Sequence, residues 1–258
     1  MTDHELLDVA RAAARAAAPG LLERFGARAS GVEAKSSPTD LVSEADVEAE
    51  RTIREVLAER RPDDGILGEE GDDTPGTTGL RWVVDPLDGT TNYLYGNPQW
   101  CISVACEGRA GVVLDPVRGE EFAAVAGGPA TLDGSPLDSR AEAGTDGGLA
   151  HALVATGFGY EADVRAQQVR LLSGLLPHVR DVRRAGAAAL DLCWVAAGRA
   201  DAYYEFGVQA WDIAAGTVIC EAVGLEARVL PAGDGLPQGL LVAPPALAGP
   251  LAELLGFG

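Results

Sequence analysis

Lysine is nearly absent from this chain: Lys35 stands alone beside nineteen arginines, and 39 acidic residues outweigh the 20 basic ones to leave a formal charge of −19. A surface of that sign repels polyanions, so nucleic acid is not an expected partner. Histidine is scarce as well. His4, His151 and His178 are scattered, with no HExxH pair, which removes the support for serine–histidine hydrolysis and for zincin chemistry. Four cysteines, Cys101, Cys106, Cys193 and Cys220, lack CxxC spacing and sit in apolar contexts. Neither a zinc site nor a disulfide framework is expected, and a reducing compartment suits them. Long hydrophobic runs are missing too: the uncharged stretch from Gly235 to Ala252 carries Pro237, Pro244, Pro245 and Pro250, too many for a membrane helix. The opening Met1-Thr2-Asp3-His4-Glu5 has neither the basic flank nor the apolar run of a signal peptide, so a cytoplasmic protein with no membrane partner is expected. Carboxylates, hydroxyls, backbone and bound ions are what is left for chemistry.

What is present is enough apolar residue for a core, 47% of 258 residues, which at this length means one large domain or two joined lobes. Leu7, Ala10, Ala14, Leu21 and Phe25 share a helical face, with Pro19-Gly20 marking a kink or break. A second helix starts after Ser43, where Ser43 and Asp46 have capping-box spacing and Ala49, Ile53, Val56 and Leu57 form the apolar face. Between them Lys35 to Asp40 reads as an exposed turn. Short apolar runs at 65–68, 81–84, 100–105, 111–114 and 121–125 predict a strand-rich middle, antiparallel because the connections are short. Beyond it the pattern predicts strands at 149–155, 200–206, 225–230 and 239–243, and helices at 161–176, 187–198, 211–223 and 246–255. The Gly-rich stretch 141–148 is expected to join lobes of about 1–145 and 146–258 within one α+β domain.

The most informative segment runs from Arg81 to Tyr93. An apolar strand delivers Asp85, Pro86 is expected to turn the chain out of the sheet, and Asp88 closes the turn. Asp85, Asp88 and the Leu87 carbonyl are hard oxygen donors suited to Mg²⁺, and the Gly89 and Thr90 amides open a helical turn able to hold phosphate. Asp-Pro and Asp-Gly are equally ordinary turn dipeptides. Two further sites bear on the choice: Glu69-Glu70 directly after an apolar strand, and Asp212 in the first turn of an apolar helix. Each alone reads as a solvated loop or a helix-dipole partner. Four carboxylates brought together would repel without cations, whereas two Mg²⁺ formally cancel Glu69, Asp85, Asp88 and Asp212. The set reads as a two-metal phosphoryl-transfer site.

The segments GEE at 68–70, DPLDGTTN at 85–92 and WDIAAG at 211–216, in this order and spacing, resemble the inositol monophosphatase family of Mg²⁺-dependent, lithium-sensitive phosphatases. The likeness extends to residues 35–40, 156–158, 183–189 and 201–205, and so covers most of the chain. It implies alternating αβαβα layers, a homodimer, and two or three Mg²⁺ ions. By motif position, Glu69, Asp85, the Leu87 carbonyl, Asp88 and Asp212 are the implied metal ligands. Glu69 and Thr90 would position the attacking water, with Asp46 bonded to Thr90, a role that competes with its place in the cap box. Asp88, Gly89, Thr90, Gly186, Ala188, Glu205 and Asp212 would contact substrate, and the Lys35 loop would lie near a further metal. Two departures stand out: position 187 is Ala where many relatives have Ser or Thr, and residues 107–148 do not align clearly.

The expected function is hydrolysis of a small phosphate monoester, myo-inositol 1-phosphate or a related polyol phosphate. Histidinol-phosphate or phosphoadenosine phosphatase activity is the alternative within the family. A non-catalytic cation-binding regulatory protein is the alternative outside it, and it requires a broken site, whereas every ligand position is filled.

Overall fold

The structure, a computed structural model, describes residues 1–26, 33–34, 41–144 and 146–257. Helix α1 (Asp3–Arg24) starts on a capping box in which the Glu5 amide donates to Thr2 Oγ1 at 3.3 Å and the Thr2 amide to Glu5 Oε2 at 2.7 Å. It runs on through Pro19, with no break at the expected position. The buried face of Leu6, Ala10, Ala13, Ala14, Ala17 and Leu21 continues across the proline, and that packing offsets the roughly 3 kcal/mol an interior proline costs. A two-stranded ribbon, β1 (Glu33–Ala34) and β2 (Leu41–Val42), leads to helix α2 (Glu44–Arg60). The Lys35–Asp40 turn lies outside the described residues.

Seven strands form the first sheet, in sequence order: β3 (Gly65–Gly68), β4 (Arg81–Asp88), β5 (Cys101–Cys106), β6 (Ala110–Asp115), β7 (Glu120–Val125), β8 (Thr131–Leu132) and β9 (Ser135–Pro136). The short strands β8 and β9 account for part of the segment that did not align. Two expectations fail here. Strands β3 and β4 are parallel, because the chain between them doubles back along the edge of β3, where Thr74 and Ile66 exchange backbone bonds at 2.8 Å. Strand β4 also does not leave the sheet at Asp85. The pairing resumes from Asp85 opposite Ser103 to Asp88 opposite Cys101, so Pro86 and Leu87 face Ile102 alone, and this bulge absorbs the amide that proline lacks.

The second sheet has the order β11 (Asp181–Arg183), β10 (Leu153–Thr156), β12 (Ala202–Phe206), β14 (Gly239–Ala243) and β13 (Glu226–Leu230). β10 is parallel to both neighbours, and β12, β14 and β13 run antiparallel in turn. β11 carries no apolar run and was not expected. The strand expected at 149–155 begins only at Leu153, after a 3₁₀ turn over Gly148–His151. Of the Gly-rich join at 141–148, all but residue 145 is described.

Helix α3 (Thr90–Leu94) follows β4, and α4 (Ala162–Leu175), α5 (Ala188–Ala196), α6 (Ala210–Ala222) and α7 (Pro245–Leu254) complete the chain. Alternation along the strands sorts the apolar side chains into three cores. Ile102, Val104, Val112 and Ala123 face α1 and α2; Ala105, Val113, Phe122 and Val242 meet α5 and α6; Val154, Tyr204 and Leu241 face α7 and the end of α4. The layers are therefore αβαβα, as the resemblance implied. Helix α6 lies almost on the first sheet, since a Cβ at Gly111 would stand 2.7 Å from the Ala215 carbonyl oxygen. No helix among the described residues is long and apolar enough to cross a membrane.

Candidate active site

The bulge that keeps β4 in the sheet also sets the first carboxylates. Asp85 is buried, and its Oδ1 accepts the Leu87 amide at 3.0 Å. Asp88 lies two residues beyond Pro86, and its oxygens accept the amides of Ala188 (3.1 Å) and Ala189 (2.7 Å) at the start of α5, with the Cys101 thiol at 3.6 Å. Gly89 then turns the chain with φ +96° to cap α3. No side chain fits there, since a Cβ would lie 2.8 Å from the Gln99 carbonyl oxygen.

From the other elements, Asp212 in the first turn of α6 accepts the Gln209 amide at 2.6 Å. Glu69 follows β3, its amide bonded to the Val84 carbonyl at 3.2 Å. The turn that carries Glu69 is anchored by a residue the sequence did not single out. Glu50 is 2% exposed; its Oε2 accepts the Glu70 amide at 2.7 Å and its Oε1 the Arg54 guanidinium at 2.6 Å. Gly68 and Gly71 leave the space for it, as a Cβ on either would overlap the Glu50 carboxylate.

One helical turn before Glu50, Asp46 carries both roles weighed from the sequence. Its Oδ2 accepts the Ser43 amide (3.0 Å) and hydroxyl (2.5 Å), while its Oδ1 stands 2.9 Å from Thr90 Oγ1. The Thr90 hydroxyl also lies 3.1 Å from the Leu87 carbonyl.

A cavity of about 560 Å³ opens over these groups. Glu69, Asp88, Gly89, Thr90 and Asp212 line it together with Gly186, Ala188 and Glu205, whereas Asp46 and Asp85 stand behind its wall. Ala187 is fully buried and does not line it. Asn92 ties the wall to α3, donating to the carbonyls of Gln99 (2.7 Å) and Ala185 (2.9 Å). Sequence reasoning assigned no role to Phe158, Arg184 or Trp211, which also line the cavity. The first two lie in stretches that carry the resemblance, and Trp211 directly precedes Asp212, but nothing local marks them as wall.

Burial dominates the electrostatics. It pushes the Asp85 carboxyl well above its ordinary value, and the charges of Glu69, Asp88 and Asp212 push the same way. Asp212 is raised well above its ordinary value by burial and then by Asp88. Asp88 rises to about 6 through burial, although the two α5 amides oppose it. Among the described residues no three acidic, histidine or cysteine side chains stand close enough to hold an ion as they are. The donor set nonetheless fits a hard divalent cation: buried carboxylate oxygens that raise one another's proton affinity compete for positive charge of any kind.

A stability test follows from the sign of these shifts. A carboxyl raised in the folded state favours folding most at pH below its unfolded value and loses that contribution as pH rises through the folded one. For Asp88, from 3.8 to about 6, the loss is about 3 kcal/mol, and Asp85 and Asp212 add to it in the same direction. Metal-free protein should melt several degrees lower at about pH 8 than at about pH 5, and Mg²⁺ should restore the difference at the higher pH only. Equal stabilisation by Mg²⁺ at both pH values would show that these carboxylates do not hold it.

Known proteins resemble this chain over most of its length. A family model described as the inositol monophosphatase family matches residues 2–254. The chain is 43% identical over 251 residues to inositol-1-monophosphatase SuhB of Mycobacterium tuberculosis, covering 91% of this chain and 84% of that protein. It is 41% identical over 215 residues to the Nus factor SuhB of Pseudomonas aeruginosa, covering 79% and 78%. The crystal structure of the extragenic suppressor protein SuhB from Bartonella henselae superposes with a TM-score of 0.87 at 30% identity, over 98% of this chain and 99% of that one.

Proposed function

The chain belongs to the inositol monophosphatase family, and from that premise we propose that it is a Mg²⁺-dependent phosphomonoesterase acting on myo-inositol 1-phosphate and related polyol phosphates. What carries the reading is one cavity bordered by Glu69, Asp88 and Asp212 beside Thr90, with Gly186, Ala188 and Glu205 on the same wall. The cation ligands in this reading are Glu69, Asp85, Asp88, Asp212 and the Leu87 carbonyl, holding two or three ions. Bound Mg²⁺ supplies charge to the phosphoryl oxygens and the leaving alkoxide and makes water acidic enough to attack.

The chain's own groups do the positioning. The Gly89 and Thr90 amides, at the unsatisfied start of α3, hold a phosphoryl oxygen. Thr90 Oγ1 donates its single proton to Asp46 Oδ1, 2.9 Å away, which leaves its lone pairs to accept from the attacking water. Glu69 takes the second hydrogen bond of that water. Because the displacement is in line, the alcohol leaves on the side away from Thr90, toward Glu205, Gly186 and Ala188. The partners in this reading are a small phosphate monoester and a second copy of the chain, in the cytoplasm. A formal charge of −19 gives no net attraction for nucleic acid, so none is proposed as a partner.

The test is a set of initial rates on inositol 1-phosphate, histidinol phosphate, fructose 1,6-bisphosphate and 3′-phosphoadenosine 5′-phosphate, with Mg²⁺ and with excess EDTA. Inositol 1-phosphate should give the highest kcat/KM and EDTA should abolish turnover. Undiminished activity in EDTA would remove the metal from the reading, and a higher kcat/KM on histidinol phosphate would move the substrate to the alternative.

A further inference from the structure

Two side chains of opposite charge border the cavity without touching each other. Arg184 and Glu205 both line it, yet among the described residues the Arg184 guanidinium has no ion pair and no hydrogen bond, whereas its neighbour Arg183 is held by Asp181 at 2.6 Å. Glu205 Oε2 accepts the Tyr203 hydroxyl at 3.0 Å, and among the described residues Oε1 accepts no hydrogen bond. Both groups occupy room that glycine leaves. A Cβ at Gly157 would overlap the Glu205 carboxylate, and one at Gly186, where φ is +90°, would overlap the Arg184 guanidinium. The two are near enough to feel each other: burial pushes the Glu205 carboxyl up to about 7, and Tyr203 and then Arg184 oppose it.

A carboxylate oxygen and a guanidinium that line one cavity, each without a partner among the described residues and farther apart than an ion pair, are complementary to a ligand that both donates and accepts. A hydroxyl does both, and a pair of adjacent hydroxyls does so at two points. A phosphate or carboxylate at this place would suit Arg184 and be repelled by Glu205. An alcohol without further hydroxyls would leave both charges uncompensated, the situation by which a polar site rejects an analogue most strongly.

With Glu205 facing the alcohol as in the reading above, we propose that Arg184 completes a diol clamp: one substrate hydroxyl donates to Glu205 Oε1 and its neighbour accepts from Arg184. Arg184 is thereby a specificity-determining residue, and the preferred substrates are phosphate monoesters whose alcohol carries vicinal hydroxyls. The inference rests on the phosphomonoesterase reading above. The rival role for Arg184 is to balance Glu205 and the buried Asp191, whose Oδ2 has no partner. In that case its charge would act on every substrate alike.

Inositol 1-phosphate and cyclohexyl phosphate share a ring and differ in the hydroxyls, so their kcat/KM ratio reads the clamp directly. Arg184→Met should lose on the order of tenfold or more on inositol 1-phosphate and no more than about twofold on cyclohexyl phosphate. Glu205→Gln should show the same selectivity, and Arg184→Lys should recover part of the loss, since it keeps the charge but not the planar fork. Equal losses on both substrates, or none on either, would overturn the clamp. Binding of inositol 1-phosphate measured by calorimetry with Ca²⁺ separates the two readings. If the wild type binds it there but does not hydrolyse it with Mg²⁺, and Arg184→Met weakens that binding about tenfold, the hydrolase reading fails and the clamp stands. No binding by the wild type, or equal binding by both proteins, would overturn the clamp.

Discussion

Asparagine at Asp85 is expected to lower turnover of inositol 1-phosphate by on the order of 10³-fold while making the metal-free protein more stable. The two effects have one origin. Asp85 is buried, and its carboxyl is pushed up by burial and by Glu69, Asp88 and Asp212, so in the absence of a cation its charge is a cost the fold bears. Asparagine keeps the oxygen that accepts the Leu87 amide at 3.0 Å and replaces the repelled one with a donor toward Glu69. The melting temperature without Mg²⁺ at about pH 8 should therefore rise, and the rise should shrink toward pH 5 as the wild-type carboxyl takes up a proton. Asp88→Asn should cost similar activity without the stability gain, because both Asp88 oxygens accept α5 amides and an amide nitrogen there would face a donor. Wild-type turnover in Asp85→Asn would remove Asp85 from the cation site, and a fall in its metal-free melting temperature would refute the electrostatic account.

Thr90→Ala is expected to slow the chemical step by on the order of 10²-fold with a much smaller change in the Mg²⁺ concentration needed for half-maximal rate. Thr90 Oγ1 contacts Asp46 Oδ1 and the Leu87 carbonyl, so its removal would take away the acceptor proposed for the attacking water and leave the carboxylates in place. Serine keeps the oxygen, and Thr90→Ser should restore most of the rate. Single-turnover measurements at saturating Mg²⁺ decide this. An unchanged rate would mean that the water is held elsewhere, and a loss reversed by more Mg²⁺ would make Thr90 a support for the ion.

The parts of the molecule legible in the sequence are those whose determinants are neighbours in the chain. Ser43 and Asp46 announce a helix start because a capping box is complete within four residues. Asp85, Leu87, Asp88, Gly89 and Thr90 announce a site because one turn contains them all. Glu50 carries no such mark. It is one of several glutamates on α2, and only its 2.7 Å bond to the Glu70 amide, across the fold, distinguishes it from solvated ones. Arg184 is hidden for the opposite reason, since what makes it notable is the lack of a partner among the described residues in three dimensions. The parallel pairing of β3 and β4 is not legible in the sequence, because loop length does not fix strand direction when the loop folds back along the sheet edge. Strands β8, β9 and β11 are two or three residues long, too short for any alternation to register.

The bond between Asp88 and the start of α5 also bears on the order in which the molecule comes together. Ala187, at the position before that helix, offers no side chain to its first amides, and the acceptors come from Asp88, 100 residues upstream of Ala188. A hundred-residue loop has to close before those amides are satisfied, and contacts of that sequence separation form late. The first turn of α5 should therefore be among the last places to gain protection from hydrogen exchange during refolding. Gly186 and Ala188, which line the cavity, settle with it, so the pocket is completed by the final closure of the chain and not by either sheet alone.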